Sequence, residues 1–184
     1  MKKPLNARES LNAKKVTDAI NDLAFFVKQK LSIAGGQLAL VGIHTRGVLL
    51  ASRVSKSIQK EKSVTIPVGE LDITLYRDDL GTAGIHPIVK ETRLDFDINN
   101  KEIILIDDVL YTGRTIRAAI DELLDFGRPK KISLAVLIDR GHRELPIEAE
   151  FSALKIDTKP SESVNLKLIE VDDCDEIIVG EPIQ

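Results

Sequence analysis

Ile103-Ile104-Leu105-Ile106-Asp107-Asp108-Val109-Leu110-Tyr111-Thr112-Gly113-Arg114-Thr115 is the run whose reading decides the fold. Four aliphatic residues lead straight into two adjacent carboxylates, and a hydroxyl, a glycine, a cation and a second hydroxyl follow. Behind them Ile116, Ala119, Ile120, Leu123 and Leu124 recur at helical spacing. A buried strand therefore ends at the carboxylates, a short polar turn follows, and a helix begins on that turn. The free backbone N–H groups of such a turn and the positive end of the helix dipole make an anion site. Carboxylates at a strand end suit hydroxyls or a metal-bound ligand, and a ribose carrying a phosphate wants both. The alternative is an ordinary strand-turn-helix with surface aspartates, against which stands the cost of desolvating two carboxylates with no ligand or partner.

Working outward, Gly127 and Pro129 stop the helix, and Ile132 to Asp139 reads as the next strand, completing a βαβ unit. Upstream, Val16, Ile20, Leu23, Ala24 and Val27 share one face of a helix expected over about Asn12 to Leu31. Gly35-Gly36 leads into a strand at Leu38 to Ile43, then the turn His44-Thr45-Arg46-Gly47, then a helical pattern of Val48, Leu49, Ala51 and Val54. Val64 to Val68 and Ile73 to Tyr76 are strand-like, with a hairpin expected around Gly69. Residues 77–100 hold Gly81, Gly84, Pro87 and many charges without clean periodicity, so a long mobile loop is predicted there. The predicted fold is α/β, with a mainly parallel central sheet flanked by helices. Its ligand should lie at the carboxyl ends of the strands.

The chain has 184 residues, 43% hydrophobic and 30% charged, which fits one soluble domain with a sizeable core. No apolar run approaches the ~20 residues needed to cross a bilayer, so no membrane association is expected. Met1-Lys2-Lys3-Pro4-Leu5-Asn6 is basic without an apolar segment behind it and does not read as a signal peptide. Cys174, the single cysteine, sits among Asp172, Asp173, Asp175 and Glu176 and reads as inert; a reducing cytoplasm is the expected compartment. A net charge of −3 gives no general affinity for nucleic acid, which would need a local basic face. The chain carries no Gly-x-x-x-x-Gly-Lys-Ser/Thr and no Gly-x-Gly-x-x-Gly run.

Residues 103–115 resemble the signature of the type I phosphoribosyltransferases, which join a nitrogenous base to 5-phosphoribosyl 1-diphosphate (PRPP). The resemblance implies their fold, with a flexible lid loop at about 77–100 and a small hood from about 140–175. It implies that Asp107 and Asp108 receive the ribose 2- and 3-hydroxyls. Val109 and Leu110 would lead into a turn, Tyr111, Thr112, Gly113, Arg114 and Thr115, that wraps the 5-phosphate. Thr45 and Arg46 match the loop that holds pyrophosphate, where a planar guanidinium suits two phosphate oxygens. Arg77, in Thr74-Leu75-Tyr76-Arg77-Asp78-Asp79-Leu80, would meet pyrophosphate from the lid. Arg140, in Ile138-Asp139-Arg140-Gly141-His142-Arg143-Glu144-Leu145-Pro146, would line the nucleotide site, and Val164 would contact the base through its backbone. His142, a lone histidine between charged neighbours, reads as solvated. Mg²⁺ would arrive with PRPP, without a direct protein metal site.

Purine members of the hypoxanthine type carry an aspartate where this chain has Tyr111, a poor base at neutral pH because its ordinary pKa is near ~10. Uracil needs no such partner. The strings at 69–80, 107–115 and 137–147 resemble the PyrR family, bifunctional pyrimidine operon regulators and uracil phosphoribosyltransferases, over roughly residues 12–172. The resemblance implies conversion of uracil and PRPP to UMP and diphosphate by Asp107, Asp108, Arg46 and Arg77, binding of pyr messenger-RNA leader under UMP control, and a homodimer or higher oligomer. Arg140 and Arg143 match the RNA-facing segment after the last core strand. The first helix departs from that pattern, because Asp18 and Asp22 repel phosphates and Phe25 cannot make a polar RNA contact. Phe25-Phe26 is expected to pack a core or a subunit interface, and at 4% aromatic content no single-strand stacking platform is evident. The alternatives left open are a non-catalytic nucleotide sensor and a transferase for another base.

Overall fold

A computed structural model describes residues 5–74 and 91–182. Its main sheet has five strands, all parallel, in the order β3-β2-β4-β5-β6. These are β2 (Leu38–Ile43), β3 (Val68–Leu71), β4 (Glu102–Leu110), β5 (Lys131–Asp139) and β6 (Phe151–Lys155). Every residue of β2 is buried, as expected of a parallel strand covered on both faces. A second, antiparallel sheet, the hood, orders β1 (Leu5–Leu11), β8 (Glu176–Pro182) and β7 (Ser163–Lys167) as β1-β8-β7. It draws on both ends of the chain, beyond the 140–175 segment that the sequence suggested.

The helix α1 (Ala13–Ala34) starts where the Asn12 side chain accepts the Lys15 N–H at 3.2 Å. Val16, Ala19, Ile20, Leu23, Ala24 and Val27 face the core, together with those of α2 (Arg46–Lys62) and the inner residues of β7 and β8. Phe26 stacks on Phe151 of β6 at 4.9 Å, whereas Phe25 stays 60% exposed. The opposite face of the sheet is covered by α3 (Arg114–Asp125) with Leu94, Phe96 and Ile98. The connections from β2 and β4 thus leave to opposite faces, and the carboxyl ends of these neighbouring strands open a crevice between them.

Three sequence expectations are corrected. Gly69 lies inside β3, not in a hairpin, and a methyl there would come within 2.4 Å of the Leu94 Cδ2, so the Leu94 side chain packs directly over the strand. Residues 91–100 are part of the packed structure, with Arg93 and Glu70 exchanging both backbone hydrogen bonds at 2.8 Å and Ile98 buried. Strand β4 runs past the two carboxylates to Leu110, because Asp107, Val109 and Leu110 keep their partners Val136, Ile138 and Asp139 in β5. The remainder of the expected loop, with Arg77, lies outside the described residues. A short α4 (Ile169–Asp172) joins β7 to β8. Among the described residues no helix is long and apolar enough to cross a membrane.

Candidate active site

The carboxyl ends of β2, β4 and β5 and the hood strand β7 border a cleft of about 600 Å³, the size of a small-ligand pocket. On the β2 side it is lined by Ile43, His44, Thr45 and Arg46. The turn carrying them lies flat on β4. A methyl at Gly42 would sit 2.5 Å from the Gly47 carbonyl oxygen, and one at Gly47 would sit 2.3 Å from that of Ile106. The His44–Thr45 peptide bond is cis. Arg46, first residue of α2, donates from Nη2 to both carboxylate oxygens of Asp172 at 2.8 and 2.9 Å. Burial pushes the Asp172 carboxyl up. The Leu168 N–H and the Arg46 guanidinium outweigh this and hold it below the usual carboxylate range. Two turns along α2, Arg53 binds Asp175 and Glu170, and the three acids clamp the 169–175 segment to that helix.

Asp107 and Asp108 line the cleft from the end of β4, with Val109, Tyr111 and Thr115 beyond them. Asp107 is buried at 6% exposure and accepts the Asp108 N–H at 2.9 Å; Asp108 in turn accepts the Val109 N–H at 2.9 Å. Gly113 takes φ +91°, a conformation that an L side chain resists, and hands the chain to α3. Thr112 Oγ1 accepts the Arg114 N–H at 3.3 Å, and the Thr112 carbonyl accepts from Glu144 and Leu145. Arg114 pairs with Glu144 at 2.7 Å on the exposed side of the turn.

Arg140 follows β5 and is 6% exposed. Its guanidinium lies 4.0 Å from the centre of the Tyr111 ring, in cation–π contact, and donates to Thr158 Oγ1 and the Lys159 carbonyl at 3.2 Å each. Desolvation by burial lowers its pKa from the ordinary arginine value. Arg143 donates to Asp139 at 2.6 Å and to the carbonyls of Tyr111, Gly141 and Ile147. Burial works to raise the Asp139 carboxyl, but Arg143 and the Gly141 N–H bring it below its usual range. His142, expected to be merely solvated, is exposed yet bonded. Its Nε2 meets the Thr158 carbonyl at 2.7 Å, and its ring stands edge-on to Tyr111 at 6.0 Å.

Of the residues singled out in the sequence, Thr45, Arg46, Asp107, Asp108, Val109, Tyr111, Thr115, Arg140 and Val164 border one cleft. Leu110 is buried in the core, so it can offer only backbone; its carbonyl accepts the Arg140 N–H at 3.1 Å. Thr112, Gly113 and Arg114 form the turn behind the cleft wall. The sequence reading missed Asp72 and Thr74, which also line the cleft, as do Ser163, Asn165 and Pro182. Asp72 is buried and its Oδ1 accepts from the N–H and hydroxyl of Thr74 at 3.0 and 2.5 Å. Its only sequence signal was a place in the Gly69–Leu80 string, with no spacing relation to the motif at 107–115.

The Phosphoribosyl transferase domain family matches residues 7–170. Proteins named Bifunctional protein PyrR are similar along nearly the whole chain. That of Thermus thermophilus is 51% identical over 173 residues, covering 94% of this chain and 95% of its own. The chain belongs to the PyrR family. Another PyrR, from Syntrophobacter fumaroxidans, is 46% identical over 178 residues, with 97% of this chain and 95% of its own covered. Among solved structures, hypoxanthine phosphoribosyltransferases share the fold. The Trypanosoma cruzi enzyme superposes with a TM-score of 0.73 at 16% identity, covering 96% of each chain, and the Staphylococcus aureus enzyme with 0.67 at 22%, covering 97% of this chain and 94% of that one. PyrR membership and this fold agree with the type I phosphoribosyltransferase architecture expected from residues 103–115.

Proposed function

We propose that the chain is a uracil phosphoribosyltransferase, forming UMP and diphosphate from uracil and PRPP, and that UMP in the same cleft makes it a regulator of pyrimidine operon expression. The observation that carries this is the meeting, in one cleft, of Asp107 and Asp108, Tyr111 and Thr115 at the two ends of the turn that follows them, and Thr45 and Arg46. A ribose with a phosphate at one end and a diphosphate at the other needs such a spread of groups. The name PyrR of relatives about half identical points the same way.

In this reading the 112–115 turn anchors the 5-phosphate, and Asp107 and Asp108 hold the ribose hydroxyls. The bond from C1 of the ribose to the diphosphate oxygen breaks, its electron pair leaving with the diphosphate, as N1 of uracil bonds to C1 and gives up its proton to solvent or to the departing diphosphate. Positive charge builds on the sugar ring and negative charge on the departing diphosphate. Carboxylates fixed beneath the first and Arg46 beside the second stabilise both without moving. Arg77 would join them from the segment beyond the described residues. No nucleophilic side chain is required. Arg140 and Tyr111 form a stacked wall for the base, and Val164 in β7 presents backbone toward its edge.

The cleft's carboxylates are hard oxygen donors compatible with Mg²⁺ carried in with PRPP, which would need no direct protein ligand while Asp107 and Asp108 held the ribose hydroxyls beside it. When bound, the ion neutralises diphosphate charge. In the same reading the protein acts in the cytoplasm as a homo-oligomer.

Regulation through pyr messenger RNA rests on PyrR membership. Arg140 and Arg143 were the RNA-facing candidates. Arg143 is only 15% exposed and committed to Asp139 and three carbonyls, so its part is to shape the loop. A turnover assay with labelled uracil, alongside hypoxanthine, guanine, adenine and orotate, tests the enzyme; faster turnover of a purine would overturn the choice of base. A gel shift with the organism's own pyr leader, with and without UMP, tests the regulator.

A further inference from the structure

We infer that Asp172 is a positioning residue for pyrophosphate: from the hood it fixes the Arg46 guanidinium at the rim of the cleft. The inference rests on the reading that Arg46 receives pyrophosphate. Arg46 lines the cleft and Asp172 does not, so the carboxylate stands behind the cation and not in the ligand's path. Both oxygens of Asp172 are taken by a single nitrogen, Nη2. Arg46 Nε is buried and, among the described residues, meets no acceptor. An arginine offers five donors in a rigid fork, so holding one corner leaves the rest directed elsewhere.

Asp172 is itself held. Its Oδ2 accepts the Leu168 N–H at 2.9 Å, and its own N–H donates to the Leu168 carbonyl at 2.8 Å. The segment around it is tied to α2 a second time through Arg53, seven residues after Arg46 and on the same stripe of the helix. The carboxylate is therefore a fixed point on the hood, and the side chain it aims is the one that would meet the leaving group. A carboxylate near an anion site could instead act as a competing counter-ion that pyrophosphate must displace. The two roles predict opposite signs.

The test is calorimetric titration of magnesium pyrophosphate into the full chain as wild type, Asp172→Asn, Arg46→Ala and the double variant. It is paired with KM for PRPP and kcat, and with UMP affinity as the reference. Exchanging a charged for a neutral hydrogen-bond acceptor should weaken pyrophosphate binding and raise KM for PRPP about fivefold. UMP, which lacks the diphosphate, should bind all four forms alike. In the double variant Asp172→Asn should add nothing to the loss from Arg46→Ala. Unchanged or tighter pyrophosphate binding by Asp172→Asn, additive losses, or an equal loss of UMP binding would each overturn the inference. If Arg46→Ala alone leaves pyrophosphate and PRPP untouched, the underlying assignment of Arg46 fails, and the inference with it. Should Asp172→Asn not fold, Asp172→Glu, which keeps the charge on a longer arm, is read on the same axes.

Discussion

At the scale of single residues, the cleft depends on atoms that are absent as much as on those present. Gly47 lets the turn after β2 touch β4, and any Cβ there must displace the Ile106 carbonyl, itself part of the sheet. Gly47→Ala is therefore expected to lower stability by about 1–3 kcal/mol, the usual range for overpacking, and to weaken PRPP binding by shifting Thr45 and Arg46. Urea denaturation and calorimetry check this, and a variant unchanged in both would contradict the close approach. Asp107, Asp108, Thr45 and Arg46 were legible because each sits in a contiguous motif that ends a strand and opens a helix. Asp72 and Asp172 were not. They reach the site or its rim from separate stretches of chain, and only the folded register of β3 and the hood brings them near. Asp172 was visible in sequence merely as one acid in an acidic run.

At the scale of elements, apolar patterning and turn chemistry predicted β2, β5, the start of β4 and the three long helices closely. The apolar runs are long, and Gly127 with Pro129 leaves little choice of end. The errors came where backbone pairing overrides side-chain type. Asp107 and Asp108 look like a strand end, yet β5 continues to bond β4 as far as Leu110. The 91–100 segment is polar enough to read as loop, yet Leu94, Phe96 and Ile98 seal the α3 face of the sheet. The clamp between α2 and the hood makes a pH prediction. The guanidinium of Arg53 depresses the Asp175 and Glu170 carboxyls, which titrate lower in the folded chain than in the unfolded one. The pairing thus stabilises the fold above the ordinary carboxylate range, and the benefit is lost as pH falls through the depressed folded values. Arg53→Gln should be less stable than wild type near pH 7, and the gap should close toward pH ~3. Denaturation midpoints at the two pH values measure it; a gap that stays constant would contradict the assignment. Glu150, held down to about 2 chiefly by Lys30 and then Ser133, adds an acid-labile tie between α1 and the sheet that this variant leaves untouched.

At the scale of the whole molecule, the arrangement is a parallel sheet whose carboxyl ends supply the cleft and a hood that borders it through β7 and Pro182. The sheet was legible from the alternation of apolar strands and amphipathic helices. The hood was only partly so, because β1 and β8 are joined across the full length of the chain and carry no local signal of their pairing. The exposed side of α1 presents Asp18, Asp22 and Phe25 beside Lys14 and Lys15, so its charge is mixed, with the two acids opposing phosphate. If this face lies against the pyr leader, Asp18→Asn with Asp22→Asn should tighten RNA binding at low salt and steepen its salt dependence, with the difference vanishing at ~1 M salt, where the Debye length is about 3 Å. Equal binding at low salt would place the RNA elsewhere. The most direct test of the central claim is the initial rate of UMP formation from uracil, PRPP and Mg²⁺, compared with that of Asp107→Asn/Asp108→Asn. The account predicts turnover by the wild type, preference for uracil over purines, and a loss of roughly a hundredfold or more in the variant. A folded wild-type chain that forms no UMP above background, or a variant that turns over as fast, would contradict it.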